Sequence, residues 1–190
     1  MSDDSVILRP VREADLVVLD RFLAGPEETG GFQWLGWSDP GLWRRRWEEN
    51  GLLSEDKSQL LVVSGSDEPL GFVSWHKMDA WGGGHYWNMG AQLLPEVRGR
   101  GIGTRAQRML VDYLFATTTV VRIEADTETE NIAEQRALEK AGFTREGVQR
   151  SVNFRDGRWR DGVRYSVLRE EWAAGRSTAE GSAVDASPAG

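Results

Sequence analysis

The stretch Leu93-Leu94-Pro95-Glu96-Val97-Arg98-Gly99-Arg100-Gly101-Ile102-Gly103-Thr104 decides how this chain folds. It leads from an apolar run, which predicts a strand, through a glycine-rich turn into an amphipathic segment, which predicts a helix. The three glycines allow a sharply bent backbone whose N–H groups are not shielded by side chains. The helix that follows adds its own unpaired amides and the positive end of its dipole. The stretch therefore predicts a binding site for phosphate, with a tight connection that binds nothing as the alternative.

Two familiar phosphate-binding patterns do not fit this loop. A Walker loop would close with Gly-Lys-Ser/Thr, and the chain has no such sequence here. The dinucleotide pattern G-x-G-x-x-G would need a third glycine at the position of Thr104. The pattern that remains is Arg98-x-x-Gly101-x-Gly103. This segment, residues 98–104, is here called the glycine loop. The pattern alone does not identify the phosphate compound that it binds, so other parts of the chain have to be considered.

The overall composition excludes several classes of protein. A chain of 190 residues is the size of one ordinary domain, and a net charge of −7 argues against a nucleic-acid partner. The absence of cysteine rules out disulfides and thiol catalysis, and two histidines are too few for a His-rich metal site. No apolar run is long enough to span a membrane, and the acidic start Met1-Ser2-Asp3-Asp4-Ser5 does not look like a secretory signal. We therefore expect a cytoplasmic protein without a metal.

The periodicity of apolar residues predicts the order β-α-α-β-β-β-α-β-α-β-β. Strands at 86–94 and 120–125 are joined by the helix after the glycine loop, so they should run parallel. The segments 59–76 and 147–168 contain turn residues and should form antiparallel hairpins. The fold class is therefore α/β (α+β), with a mixed, mostly antiparallel sheet of about seven strands and helices on both faces. From Ala173 to Gly190 the chain is small and polar, which predicts a disordered tail behind a domain at 1–172.

A second stretch makes the interpretation specific. Asn131-Ile132-Ala133-Glu134-Gln135-Arg136-Ala137-Leu138-Glu139-Lys140-Ala141-Gly142-Phe143 resembles the N-x-x-A/S-x-x-(A/V)-L-E-K-x-G-F stretch of the GNAT superfamily of acyl-CoA-dependent N-acyltransferases. The glycine loop resembles the Q/R-x-x-G-x-G/A signature of the same enzymes. The ending Phe154-Arg155-Asp156-Gly157-Arg158-Trp159 is similar to the branch that acetylates ribosomal-protein N-termini. The likeness covers about residues 5–172, and it implies a sheet that is splayed between strands four and five.

The resemblance implies a coenzyme A site around the glycine loop, with acetyl-CoA as co-substrate. Backbone amides of the loop would bind the pyrophosphate, and the end of strand four would pair with the pantetheine arm. The amide near Leu93 would also polarise the thioester carbonyl. Asn131 would contact coenzyme A as well as cap its helix, and Arg136 would reach a phosphate or stay in solvent. The implied cofactor residues are Leu93, Leu94, Arg98, Gly99, Arg100, Gly101, Ile102, Gly103, Thr104, Asn131 and Arg136.

The proton acceptor is not settled by the sequence. Many relatives carry glutamate on strand four where this chain has Asn88, and a neutral amide cannot act as a base. The candidates that remain are Glu124, Asp126, His76 and His85, and a chain of water would also suffice. Relatives often have tyrosine or serine in the next helix as proton donor; here Glu134 is first assigned to a capping box with Asn131. The catalytic set is therefore Leu93 for the carbonyl, with Glu124 and His76 as bases.

The acceptor cleft should lie opposite coenzyme A, lined by aromatic residues. Residues 25–39 form either a lid on the core or a wall of this cleft, and Arg44-Arg45-Arg46 form a solvated face or a contact to an anion. We expect a small amine as partner, or alternatively a peptide N-terminus; an acyl-CoA sensor without catalysis is the third hypothesis. No nucleic-acid or membrane partner is expected, and a homodimer is left open. The expected acceptor-binding residues are Trp34, Trp37, Trp75, Trp87 and Asn88.

Overall fold

The computed structural model describes residues 5–184. Its elements follow the predicted order, with two helices added: one between the first two predicted helices, and one after the last strand. The strands are β1 Val6–Arg9, β2 Lys57–Ser64, β3 Pro69–Asp79, β4 His85–Leu93, β5 Arg122–Glu128, β6 Thr144–Arg155 and β7 Arg158–Leu168. The helices are α1 Leu16–Arg21, α2 Pro26–Thr29, α3 Leu42–Asn50, α4 Ile102–Thr117, α5 Ile132–Lys140 and α6 Arg169–Val184. Short 3-10 turns precede α1 and α4. Among these residues, no helix is long and apolar enough to cross a membrane.

All seven strands form one sheet in the order β1-β2-β3-β4-β5-β7-β6. Every neighbouring pair is antiparallel except β4 and β5, which are parallel. Only two residue pairs join β4 to β5, Trp87 with Ile123 and Asn88 with Glu124. Past Asn88 the two strands diverge, so the predicted fold class and the predicted splay are both confirmed.

Helices cover both faces of the sheet. The periodicity of α4 predicts an apolar stripe of Ile102, Ala106, Met109, Leu110, Tyr113 and Leu114. Helix α4 buries four of these residues, whereas Met109 is half-buried and Tyr113 is exposed. On the opposite face, Phe72 of β3 lies between Phe22 and Trp43, at ring-centroid distances of 5.1 and 5.9 Å. The glycine loop is thereby held between a packed helix and the open edge of β4.

The N-terminal helices are shorter than the sequence predicted. The spacing of apolar residues from Arg12 to Ala24 predicts one helix, but the chain is α-helical there only over Leu16–Arg21, after a 3-10 turn. The segment that follows contains the short helix α2, which begins with Pro26. Helix α3 starts at Leu42, since Asp39 accepts a hydrogen bond from the Gly41 amide (2.8 Å) before the helix begins.

Helix α6 extends into the segment from Ala173 onward, for which the sequence predicts a disordered tail. That disorder stays a prediction. Helix α6 is held by its first turn, in which Arg169 donates to the carbonyls of Phe115 (2.8 Å), Thr118 (2.5 Å) and Val120 (2.8 Å). Trp172 packs against Phe115 at 5.4 Å and donates to Asp112 at 2.6 Å. These long-range contacts have no signature in the composition of the tail. The expected tail includes residues 185–190, and the N-terminus that was expected not to be a secretory signal includes residues 1–4; both ranges lie outside the described residues. The domain boundary at residue 172 stays a prediction.

Candidate functional site

The end of β4 presents an unpaired backbone edge to the gap between the strands. The Leu94 amide donates to the Leu70 carbonyl on β3 at 2.9 Å. Because successive residues of an antiparallel strand turn their N–H and C=O to opposite sides, Leu93 directs its own groups away from β3. The Leu93 carbonyl accepts from Nε of Arg98 at 2.9 Å, on that side. The Leu93 amide therefore faces the gap, whereas the Leu94 amide, also expected to bind the cofactor, is already used inside the sheet.

The glycine loop has the backbone shape that its sequence predicted. Gly99 and Gly101 have φ angles of 77° and 74°, in the left-handed region that side chains disfavour. Gly101 is the N-cap of α4, so the amides of the first helical turn have no partner within the helix. A Cβ on Gly103 would lie 3.6 Å from Cδ1 of Leu93, so the helix start lies directly beside the strand end. Amides and helix dipole converge where an anion can bind.

A cavity of about 530 Å³, here called the splay cavity, opens beside this loop. Leu94 and Ile102 are instead part of the core, with 4% and 7% of their surface exposed, and Arg100 is exposed outside the cavity. Lys140, which no sequence pattern indicated, adds a second cation beside Arg136. The residues that line the splay cavity are Thr29, Gly30, Gly31, Phe32, Gln33, Ala91, Gln92, Leu93, Arg98, Gly99, Gly101, Gly103, Thr104, Gln107, Asn131, Ala133, Glu134, Arg136, Ala137 and Lys140.

Helix α5 brings a carboxyl group into the splay cavity. Asn131 caps the helix by accepting from the Glu134 amide at 3.3 Å, as expected. The reciprocal half of the predicted capping box is wrong, because the Glu134 carboxylate accepts from Nε2 of Gln107 on α4 at 2.6 Å. Burial raises the pKa of Glu134 above its ordinary value, although the Gln107 hydrogen bond opposes the shift. The side-chain oxygen of Gln107 has no hydrogen-bond partner in the described structure.

A second cavity of about 380 Å³, here called the aromatic cavity, joins the first. Trp34 and Trp37 line it as predicted, with ring centroids 5.1 Å apart, so residues 25–39 form a wall of this cavity. The two cavities share Thr29, Gln33, Ala91 and Gln92. The residues that line the aromatic cavity are Phe22, Leu23, Thr29, Gln33, Trp34, Leu35, Gly36, Trp37, Ser38, Leu42, Trp43, Lys57, Gln59, Phe72, Ser74, Gly90, Ala91 and Gln92.

Three residues that were expected to bind the acceptor line neither cavity. Side chains alternate between the faces of a strand, so Trp75 points away from the side on which Ser74 lines the aromatic cavity. Trp75 is buried, with its ring centroid 5.9 Å from that of Tyr113 on α4. Trp87 is also buried in the core. Asn88 lines neither cavity and donates to Asp126 at 2.8 Å.

The expected bases on β5 belong to an ion-pair network outside both cavities. Glu124 is buried and accepts from Nε of Arg122 at 2.7 Å, with an Arg164 nitrogen 3.2 Å away. Asp126 accepts from Nε of Arg164 at 3.0 Å. These carboxylates are already paired, and neither borders the place where the two cavities meet.

The two histidines also lie outside the cavities. His76 sits opposite Asn88 on the sheet. Partial burial, reinforced by the charge of Lys57, lowers the pKa of His76. His85 contacts Trp87, with ring centroids 5.2 Å apart. Within residues 5–184, no group of three or more histidine and acidic side chains is placed to hold a metal ion.

Arg98 has a further contact that the sequence did not reveal. Besides Leu93, its guanidinium donates to the carbonyls of Glu28 at 2.5 Å and Thr29 at 3.3 Å. It also lies against Gly30, where an added Cβ would be 3.3 Å from a guanidinium nitrogen. Arg98 therefore fastens the end of α2, on the aromatic-cavity side, to the glycine loop.

Residues 5–144 match the family model of the acetyltransferase (GNAT) domain. The uncharacterized N-acetyltransferase YnaD of Bacillus subtilis is 27% identical over 59% of this chain, and the chain spans just under two thirds of that protein, 64%. An aminoglycoside N(6')-acetyltransferase type 1 of Klebsiella pneumoniae is 29% identical over 77% of this chain and 78% of its own length. The putative ribosomal N-acetyltransferase YdaF of Bacillus subtilis is 30% identical over 68% of this chain and 67% of its own length.

The fold also matches solved structures. The spermidine N-acetyltransferase of Vibrio cholerae, in complex with CoA and spermine, has a TM-score of 0.73 at 16% identity, covering 88% of this chain and 98% of that one. The family model spans most of the described residues. The chain therefore belongs to the GNAT acetyltransferase family.

Proposed function

We propose that this GNAT enzyme transfers an acetyl group from acetyl-CoA to a primary amine of a small molecule, directly within a ternary complex. The observation that carries the proposal is the meeting of the two cavities at Ala91 and Gln92, beside the free amide of Leu93. A donor in the splay cavity and an acceptor in the aromatic cavity would bring their reacting atoms together there. Relatives named for aminoglycoside and spermidine acetylation support a small amine as the acceptor.

Coenzyme A would be held by backbone groups and by two cations. The pyrophosphate would bind the amides from Gly99 to Thr104, and Arg136 or Lys140 would pair with its charge. The pantetheine arm would lie along the open edge of β4 as an added strand, using the Leu93 amide and carbonyl. Asn131 borders the same cavity and would contact this arm.

The chemistry requires one bond to form and one to break. The neutral amine attacks the thioester carbonyl, a C–N bond forms, and the oxyanion is stabilised by the Leu93 amide. The amine proton passes to water, since Glu124 is paired with arginines and His76 lies outside the cavities. The C–S bond then breaks, and the thiolate takes a proton from the Glu134 carboxyl, whose raised pKa keeps it protonated closer to neutral pH.

The test combines binding and turnover. Calorimetry should show coenzyme A binding, and acetyl-CoA with a panel of primary amines should release free thiol. Gly101→Val forces a β-branched residue into the left-handed region of the loop, and we expect at least about a tenfold loss of coenzyme A affinity, the value of one lost hydrogen bond to a charged group. Gly51→Val is the matched control, because Gly51 has a similar φ of 64°, equally open surroundings and no contact with either cavity.

Two outcomes would contradict the proposal. Failure of the unmodified protein to bind coenzyme A would exclude the donor assignment, and equal losses in both glycine variants would exclude the phosphate-binding role of the loop. Binding without turnover on any amine would favour a sensor.

A protein N-terminus is the second candidate acceptor. The similarity to a putative ribosomal N-acetyltransferase favours it, and Trp37, 81% exposed, leaves the aromatic cavity open on its outer side. Faster turnover of a peptide than of its isolated N-terminal amino acid amide would support this candidate. A cytoplasmic location completes the proposal, and cell fractionation tests it. A homodimer stays open, and light scattering would decide it.

A further inference from the structure

The described side chains that line the aromatic cavity are poor in ionisable groups. Among them Lys57 is the only one that ionises, and none is a carboxylate. An acceptor with several ammonium groups would find no counter-ion among these described residues, and placing a second positive charge against the inner part of the lining is costly. The lining therefore selects against polyamines and aminoglycosides, the acceptor types that the relatives are named for.

Two buried side chains of this cavity have polar atoms without partners. Gln59 is 1% exposed, and neither its side-chain nitrogen nor its oxygen makes a hydrogen bond within the described residues. The indole nitrogen of Trp43, on α3, is likewise buried and unpaired there. Both residues line the cavity. Buried polar groups without partners are rare and unfavourable, so they mark a place where a polar part of a ligand fits.

Gln59 lies away from the place where the two cavities meet. Gln59 pairs with Ser74, and Ser74 pairs with Gly90. Gln59 is therefore two strand spacings, roughly 10 Å, from β4, where the two cavities meet. Lys57 lies two residues away on the same face of β2, and partial burial together with the charge of Arg46 lowers its pKa. Gln59 also presents an acceptor oxygen. Its amide N–H, the Trp43 indole N–H and the Lys57 ammonium group all donate hydrogen bonds, so donors prevail, a set that suits an anion.

We infer that the acceptor is an amine that carries a carboxylate at its far end, joined by an apolar or aromatic body. This inference rests on the proposed function and names the substrate class of the same site. The amine would lie near Gly90 and Ala91, the body would pack against Trp34 and Phe72, and the carboxylate would accept hydrogen bonds from Gln59, Trp43 and Lys57.

Three amines that differ only at the far end test this inference. They are 4-(aminomethyl)benzoate, 4-(aminomethyl)benzamide and 1,4-bis(aminomethyl)benzene, compared for binding to the coenzyme A-bound protein and for kcat/KM. We expect the benzoate to be favoured over the diamine by roughly ten- to a hundredfold, as for hydrogen bonds to a charged group. Lys57→Met and Gln59→Leu should each remove most of that preference. Lys77→Met, an exposed lysine on β3 outside both cavities, should leave it unchanged.

The outcomes separate this inference from the proposed function. The carboxylate assignment alone would be overturned if the protein bound coenzyme A but bound the benzamide or the diamine as tightly as the benzoate or more tightly. It would also be overturned if the protein bound coenzyme A and none of the three amines. A preference for the benzoate that survives Lys57→Met and Gln59→Leu would overturn the residues assigned to it. Failure to bind coenzyme A would instead overturn the proposed function.

Discussion

Replacing Glu134 by glutamine should separate catalysis from stability. The variant keeps the size of the side chain and can still accept the 2.6 Å hydrogen bond from Gln107. It loses the proton that the proposed mechanism delivers to the thiolate. It also gains an N–H group that can reach the Gln107 oxygen, which has no partner in the described structure.

The two effects have opposite signs. Loss of a general acid costs about 10²- to 10⁴-fold in rate, so kcat should fall by at least about a hundredfold. The substitution gives the buried Gln107 oxygen a partner and removes the Glu134 carboxyl group, whose charged form is disfavoured by burial. The free energy of unfolding should therefore stay unchanged or rise by roughly 1 kcal/mol. A purely structural role for Glu134 predicts little change in kcat.

The pH profile of kcat provides the decisive measurement. In the proposed mechanism the protonated form of Glu134 is the active one, so in the wild type kcat should fall as pH rises through a pKa that lies above the ordinary glutamate value. The Glu134→Gln variant should lack that alkaline limb, whereas Glu139→Gln on the same helix, outside both cavities, should keep it. A Glu134→Gln enzyme with kcat within about threefold of wild type and the same limb would refute the assignment, since a general acid is worth far more.

Three further predictions follow from the packing and the ion pairs. Trp75→Ala should lower the free energy of unfolding by about 3 kcal/mol in urea denaturation because it empties a core site. Trp34→Ala should instead raise KM for the amine with little loss of stability. The reverse pattern would show that Trp75, and not Trp34, contacts the acceptor. Trp172→Ala should cost about 2 kcal/mol if α6 is anchored as described, and an unchanged midpoint would contradict that anchoring. Arg155 donates to Glu128 and lowers the pKa of that carboxyl group, so this pair stabilises the fold above pH about 4.3 and loses that contribution as pH falls. In thermal melts, Tm of Glu128→Gln should therefore fall less steeply with decreasing pH than Tm of the wild type. An equal fall in Tm would count against a stabilising role of the pair.

The glycine loop was predictable because its rules are local. A positive φ at Gly101, the helix behind it and the stripe on α4 each follow from residues a few positions apart. The parallel pairing of β4 and β5 follows from the helix that joins them. The assignment of both Trp87 and Asn88 to one cleft, however, contradicted the alternation of a strand, since adjacent residues face opposite sides.

Other features depend on contacts between distant segments. The Glu134 carboxylate meets Gln107 across two helices, and a sequence pattern favours the local capping box instead. Helix α6 is held by the carbonyls that end α4 and precede β5, which its own composition does not reveal. For Gln59 there was a signal, because a polar residue precedes the apolar run Leu60-Leu61-Val62-Val63 inside a predicted strand.

The short junction between β4 and β5 also has a mechanical meaning. Because only two residue pairs join the strands, the half of the sheet that ends with β4 is connected to the half that begins with β5 only at Trp87 and Asn88. A pantetheine arm bound between the two halves would fix the angle between them. A ligand present at a hundred times its dissociation constant adds about 2.7 kcal/mol of stability. Hydrogen exchange of the β4 amides beyond Asn88 should then slow when coenzyme A is bound, which would make the donor a reversible structural part of the enzyme.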